Sequence, residues 1–323
     1  MPISMAYLSH GEQEPSVLLV QANRLEFKVA TAGAGDRLVL CLHGFPESAL
    51  SWRHQLAPLA HAGYRVWAPD LRGYGGTTKP DGLDAYQLET LLEDVAALIE
   101  ASQASQVILV GHDWGGIIAW YYAMRRPVKI AALIVLNGPH PACFEREISH
   151  WRQLRRSWYV ALFQIPWLPE AALAADHARM IGIILKWMRR SSAHLSDDIV
   201  RLYRQQASKP GALTAMLNYY RAAIRGGGAA RQRKLGYPVI DVPTLVIWGL
   251  QDQALARQNL DGLESLVTDL TVVTLEQAGH FLHEDEPQHV TDEILGWLHR
   301  FEARHSCTPV SAESGVRGGK TGG

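Results

Sequence analysis

Five consecutive residues, Gly111-His112-Asp113-Trp114-Gly115, restrict the fold of this chain more than any other segment. They follow an apolar, β-branched run, Gln106-Val107-Ile108-Leu109-Val110, and precede a helix-forming one, Ile117-Ile118-Ala119-Trp120-Tyr121-Tyr122-Ala123. Small, any, nucleophile, any, small between a strand and a helix marks a sharp turn that holds its central side chain in the open. So tight a turn leaves no room for side chains on its flanks, hence the two glycines. A strand that runs straight into a helix calls for an α/β architecture with a parallel sheet.

The central residue is aspartate where most such turns carry serine. A serine attacking a saturated carbon would form an ether, which no nearby base could hydrolyse. Aspartate attacking the same carbon forms an ester, which activated water cleaves to restore the carboxylate. Asp113 therefore points to an electrophilic saturated carbon, either in a strained epoxide or bearing a halide. The bland alternative is an inactive protein of this fold whose turn has lost its serine.

Other short β-branched runs alternate with helical patterns. Strands are predicted at 16–21, 25–31, 37–42, 65–68, 106–110, 132–136, 244–248 and 271–274, and an amphipathic helix at 90–101. The alternation stops after Leu136 and resumes at Thr244; between them the chain fills with helix formers, tryptophans and arginines. One sheet interrupted by a helical insertion explains this pattern. The predicted division is a core (residues 1–138), a helical cap (139–240), the rest of the core (241–305) and a disordered tail (306–323). The cap would cover the edge where open α/β sheets bind ligands.

Charge is uneven along the chain. The whole sequence carries −1, no signal for nucleic acid, yet residues 140–240 hold 16 Lys and Arg against 6 Asp and Glu. Complementary docking of cap on core, or a solvated basic face, is the plain reading; attraction of anionic substrates or of a surface is the sharper one. Cys41, Cys143 and Cys307 are too scattered to ligate a metal, and fit a reducing, cytoplasmic compartment. The Met1-Pro2-Ile3-Ser4 start lacks the features of a signal peptide, and no apolar run is long enough to span a bilayer.

An aspartate nucleophile needs a base for the second step and an acid to orient that base, in the chain order nucleophile, acid, histidine. Thr244-Leu245-Val246-Ile247-Trp248 leads to Gly249-Leu250-Gln251-Asp252, and Thr271-Val272-Val273-Thr274-Leu275 leads to Glu276-Gln277-Ala278-Gly279-His280. Both loops belong at the strand ends where Asp113 lies. His280 would activate water and Asp252 would orient it. His283, three residues on, is the competing histidine; Asn137 sits in another loop where an acid could stand, but carries an amide. The run Leu38–Leu42 enters His43-Gly44-Phe45-Pro46, so the N–H groups of Phe45 and Trp114 are the expected oxyanion hole.

These residues, with Glu47-Ser48, Asp70-Leu71-Arg72-Gly73-Tyr74-Gly75 and Asn218-Tyr219-Tyr220-Arg221, resemble the α/β-hydrolase fold family and within it the epoxide hydrolases, over about residues 20–303. The resemblance implies a mostly parallel sheet flanked by helices with an inserted cap. It implies that two cap tyrosines hold the epoxide oxygen. Tyr220 matches one and Tyr159 the other, with Tyr219 as the fallback should the helix register differ. It further implies that His43, Pro46 and Trp114 contact substrate, that neither cofactor nor metal takes part, and that the partners are a small hydrophobic epoxide and water. A homodimer is compatible with it.

Dehalogenases share the aspartate and histidine, and Trp114 could bind halide. They usually add a second donor where this chain has Phe45, and fluoroacetate dehalogenases carry arginines where Trp114 and Ile117 stand. A noncatalytic binding protein of the same fold would be expected to have a damaged catalytic set. Finally, Trp158, Phe163, Ile165, Trp167, Leu168, Ile184 and Trp187 are expected to line a hydrophobic tunnel, although the same helical spacing also suits a packed core.

Overall fold

The computed structural model describes residues 14–125, 130–190 and 195–306. Cys307 and residues 307–323 of the expected tail lie outside them. Eight strands form one sheet: β1 (Ser16–Ala22), β2 (Leu25–Ala32), β3 (Arg37–Leu42), β4 (Arg65–Pro69), β5 (Gln106–His112), β6 (Ala132–Leu136), β7 (Thr244–Gly249) and β8 (Leu270–Leu275). Their spatial order is β1-β2-β4-β3-β5-β6-β7-β8. The β1–β2 and β2–β4 pairs are antiparallel, and every pairing from β4 to β8 is parallel. All eight predicted strands are present, each within two residues of its expected ends.

The central strands β3, β5 and β6 read as continuous apolar runs because helices cover both faces of the sheet. Residues 38–42 and 132–136 are fully buried. Alternate side chains serve opposite layers: Leu38, Leu40 and Leu42 pack with Leu109 and Leu133 on one face, while Val39 and Cys41 pack with Val110 and Ile134 on the other.

Helices α1 (Arg53–His61), α2 (Leu88–Ser102) and α3 (Trp114–Arg125) are interspersed with the first strands. In α2, Leu91, Leu92, Val95, Leu98 and Ile99 form the buried stripe at helical spacing, and Gln103 ends the helix in the left-handed conformation at φ 55°. Seven helices then occupy the chain between β6 and β7: α4 (Pro141–Glu147), α5 (Trp151–Arg156), α6 (Trp158–Leu162), α7 (Leu168–Met188), α8 (Asp197–Ala207), α9 (Ala212–Ile224) and α10 (Gly228–Leu235). In α7, residues Ala175–Ala178 depart from helical geometry. Two more, α11 (Leu282–Asp285) and α12 (Pro287–Ser306), close the described chain.

Polar contacts seat the seven-helix stretch on the sheet layer. The Tyr219 hydroxyl donates to the Arg72 carbonyl at 2.8 Å, Lys209 Nζ to the Gly75 carbonyl at 2.9 Å, and Gln153 Nε2 to the Ala254 carbonyl at 2.9 Å. Arg189 pairs with Glu284, and Arg231 with Glu89. Because the strands from β3 onward run parallel, the loops after β3, β5, β6, β7 and β8 all leave from one edge of the sheet. They carry Phe45, Asp113, Asn137, Asp252 and His280 respectively.

Candidate active site

Asp113 follows β5 at φ 50°, a left-handed conformation that costs a non-glycine residue about 1–2 kcal/mol. The surrounding backbone maintains it. A Cβ on Gly111 would lie 2.3 Å from the Gly115 carbonyl oxygen, and one on Gly115 would lie 2.2 Å from that of Leu42. Both flanking glycines are therefore demanded by close backbone approach. The carboxylate emerges 13% exposed toward a cavity, at the start of α3, where helix N–H groups favour an anion.

Asp113, His280 and Asp252 form a line. Asp113 Oδ2 is 3.5 Å from His280 Nε2, and His280 Nδ1 is 2.8 Å from Asp252 Oδ2. The other oxygen of Asp252 accepts the N–H groups of Ala254 (2.7 Å) and Leu255 (2.9 Å), which fixes the carboxylate's orientation. Burial disfavours charge on His280, but the two carboxylates outweigh it and raise its pKa well above the ordinary value. Asp113 shows the mirror image: burial opposes its ionisation, yet His280 and the Phe45 N–H hold it below the usual carboxylate range. The imidazole thus lies between two carboxylates, both of which favour its charged form.

The Phe45 N–H donates to Asp113 Oδ1 at 2.9 Å. Trp114, the first residue of α3, has an N–H of the kind a helix N-terminus leaves without an internal partner. Facing the carboxylate from α9, the Tyr220 ring meets Trp114 and Phe45 edge to face, at centroid separations of 5.1 and 5.6 Å. Tyr159, from α6, lies 6.1 Å from Tyr220. Burial, together with the nearby Asp113 charge, raises both phenols, Tyr220 well above its ordinary range. Tyr219 points the other way, its hydroxyl committed to the Arg72 carbonyl.

A cavity of about 210 Å³ opens beside these groups, with Asp113, Trp114, Tyr159, Tyr220, Phe144 and Leu255 among its lining. Its lining is mostly apolar with a few polar groups, as in small-molecule sites.

The pattern of the family described as "alpha/beta hydrolase fold" matches residues 37–287. Epoxide hydrolase 3 of Xenopus tropicalis is 37% identical over 303 residues, covering 92% of this chain and 80% of that protein. The chain belongs to the α/β-hydrolase fold family, among its epoxide hydrolases. The AB hydrolase superfamily protein YfhM of Bacillus subtilis is likewise 37% identical, covering 86% of this chain and 96% of that protein. Among solved structures, a Bacillus megaterium epoxide hydrolase bound to an inhibitor superposes with a TM-score of 0.79 at 32% identity. That match covers 88% of this chain and all of that one.

Three expectations about this epoxide hydrolase need correction. His43 is not placed to touch substrate: it is wholly buried, Nδ1 faces the Gly44 carbonyl (2.9 Å) and Nε2 accepts the Leu71 N–H (3.0 Å). It holds the loop that presents Phe45. Pro46, joined to Phe45 by a cis bond, is also absent from the cavity lining. The expected tunnel residues mostly face outward: Trp158, Ile165, Trp167, Leu168 and Trp187 are exposed, Ile184 is half-buried and does not line the cavity, and Phe163 alone is buried, against Phe45, Tyr159 and Tyr220. Spacing shows that residues share a helix face, and packing decides which face turns inward.

The sequence also left bracing residues unread. Asn137 Nδ2 donates to the carbonyls of Gly279 (2.8 Å) and His280 (3.1 Å), while its Oδ1 accepts the Gly249 N–H (2.8 Å). It ties the acid's strand to the histidine's loop, a task an amide performs with one donor and one acceptor group. His112 reaches the same His280 carbonyl at 2.8 Å through Nε2, and Glu47 at 2.7 Å through Nδ1. His283, the competing histidine, lies behind them with Nε2 3.3 Å from Glu47 and does not reach Asp113. Burial opposes charge on both: it lowers His283 to about 4, while the two histidines hold Glu47 well below the usual carboxylate range. Glu47, His112 and His283 could in principle ligate a metal, but all three are sealed from solvent and already joined through Glu47; their geometry is that of a brace. The signal for His112, Glu47 and His283 was their nearness in sequence to Asp113, Phe45 and His280.

Proposed function

We propose that this protein hydrolyses small hydrophobic epoxides to vicinal diols through an ester on Asp113, with residues 139–240 acting as a cap over the site. One observation carries this reading: a carboxylate at the nucleophile turn shares a small apolar cavity with two phenols, the buried Tyr220 and the half-buried Tyr159. A phenol supplies what ring opening needs, a proton for the departing oxygen.

The cycle balances as follows. Tyr159 and Tyr220 donate to the epoxide oxygen, and an Asp113 oxygen attacks a ring carbon as its C–O bond breaks. The alkoxide takes a phenolic proton, since it is a far stronger base than a phenolate. Asp113 has then lost its charge, and with it one cause of the raised phenol pKa values, which eases formation of the phenolate. The same loss weakens the hold on the His280 proton, which passes to the phenolate and leaves a neutral imidazole. His280, oriented by Asp252, takes a proton from water as the hydroxide adds to the ester carbonyl. The oxyanion is received by the N–H groups of Phe45 and Trp114, each worth about 3 kcal/mol in such sites. Collapse releases the diol and restores the Asp113 carboxylate and the imidazolium.

The test uses the His280→Gln variant, which forms the ester and hydrolyses it slowly. Incubated with an aryl epoxide, it should gain the mass of the whole epoxide on Asp113. An adduct only from a bromoalkane, equal to the alkyl group without bromine, would make the protein a dehalogenase. No adduct from either, in a folded variant, would count against nucleophilic catalysis.

A further inference from the structure

Large apolar side chains, Trp158 and Trp187 of the expected tunnel among them, form a surface instead. On α5 and α6, Trp151 (73% exposed), Leu154 and Trp158 (64% exposed) recur three or four residues apart; on the second half of α7, Met180, Ile183 and Trp187 (62% exposed) do the same. Both stripes flank the loop that follows β7. From α5, Gln153 Nε2 reaches the Ala254 carbonyl at 2.9 Å and Arg156 Nη1 the Leu255 carbonyl at 3.1 Å. From α7, the Trp187 carbonyl accepts from Gln253 Nε2 at 3.2 Å. Both stripes thus border one loop, and apolar side chains gathered in this way mark interaction sites where scattered ones do not.

The α5–α6 half of this face carries charge of one sign, while beside the α7 stripe Lys186 is paired with the exposed Asp197 at 2.8 Å. Residues 148–169 include Arg152, Arg155 and Arg156 and no aspartate or glutamate. Arg152 and Arg155 are exposed, and neither has a carboxylate partner among the described residues. Pairing of the α5–α6 stripe with itself in a second copy would therefore oppose like charges. Tryptophan and arginine together suit the headgroup region of a bilayer, where indole rings settle at the interface and basic side chains meet anionic lipid. No helix among the described residues is long and apolar enough to cross a membrane, so the contact would be peripheral.

We propose that the face formed by Trp151, Trp158 and Trp187, with Arg152 and Arg155, docks on bilayers that carry anionic lipid. The proposal is independent of the chemistry at Asp113. The full chain is sedimented with vesicles of phosphatidylcholine alone or mixed with phosphatidylglycerol, at low and high salt. Binding should occur to the anionic vesicles at low salt and fall steeply with salt. Arg152→Gln with Arg155→Gln should lower the partition coefficient about fivefold per charge removed. Trp151→Ser with Trp187→Ser should lower it by roughly tenfold or more, with thermal unfolding unchanged because both rings are exposed. Equal binding by the wild type and the tryptophan variant would overturn the proposal, as would binding to neutral vesicles regardless of salt. A dimer in solution that the tryptophan variant converts to monomer, without vesicle binding, would reassign the face to self-association.

Discussion

Replacing Asp252 with asparagine should separate the two chemical steps. Asparagine is nearly isosteric, and its carbonyl can keep the N–H groups of Ala254 and Leu255, at 2.7 and 2.9 Å from the present Oδ1. The fold should therefore survive. What changes is the other terminus: an NH2 group would face His280 Nδ1, now 2.8 Å from Oδ2. Nδ1 must then accept, which puts the ring proton on Nε2, the nitrogen facing Asp113. A histidine in that tautomer cannot take a proton from water, and it also loses the carboxylate that stabilises its charged form. The comparable substitution in a serine triad costs about 10⁴ in rate, equivalent to roughly 5 kcal/mol of barrier. Attack by Asp113 does not use His280 as a base, so ester formation should slow by less than about tenfold, under roughly 1.4 kcal/mol. The assay is a single turnover with excess enzyme, quenched at intervals and read by intact mass. A covalent ester should accumulate to near stoichiometry and decay slowly. Equal slowing of both steps, or a steady-state loss below about tenfold without ester build-up, would refute the assignment of His280 as base and Asp252 as its orienter.

Tyr220→Phe should slow ester formation by about 10²-fold or more, the usual size of a general-acid effect, and leave hydrolysis of a preformed ester nearly unchanged; pre-steady-state kinetics separate the two. Ester hydrolysis should rise with pH and level off, because His280 acts as a base only when neutral and its raised resting pKa falls once Asp113 is esterified. Ester formation should stay flat across the neutral range; a hydrolysis rate that falls with rising pH there would contradict the scheme. Asn137→Ala leaves the Gly279 carbonyl and the Gly249 N–H without their partner, at about 1–3 kcal/mol for each buried orphan. Urea unfolding should show a loss of roughly 2–6 kcal/mol, and a loss below about 1 kcal/mol would mean that the brace is replaceable.

Much of this protein is legible in its sequence where the deciding forces act over a few residues. The glycines around Asp113 are dictated by backbone oxygens that would lie 2.2–2.3 Å from any added Cβ, and the strands by runs that can be apolar only if both faces are covered. The loops bearing Phe45, Asp113, Asp252 and His280 leave parallel strands, so their convergence at one edge follows from chain direction alone. Tertiary structure was needed wherever a residue type allowed several partners. Tyr219 and Tyr220 are adjacent and chemically identical, and only the seating of α9 turns one hydroxyl to the Arg72 carbonyl and the other ring toward Phe45 and Tyr159. His43 looked like a substrate contact until both its nitrogens were found committed to backbone. The tryptophans of α5–α7 obey a helical period that an interior and an exterior stripe share equally. A helix records which residues stand together, and the packing around it determines which of them meet water.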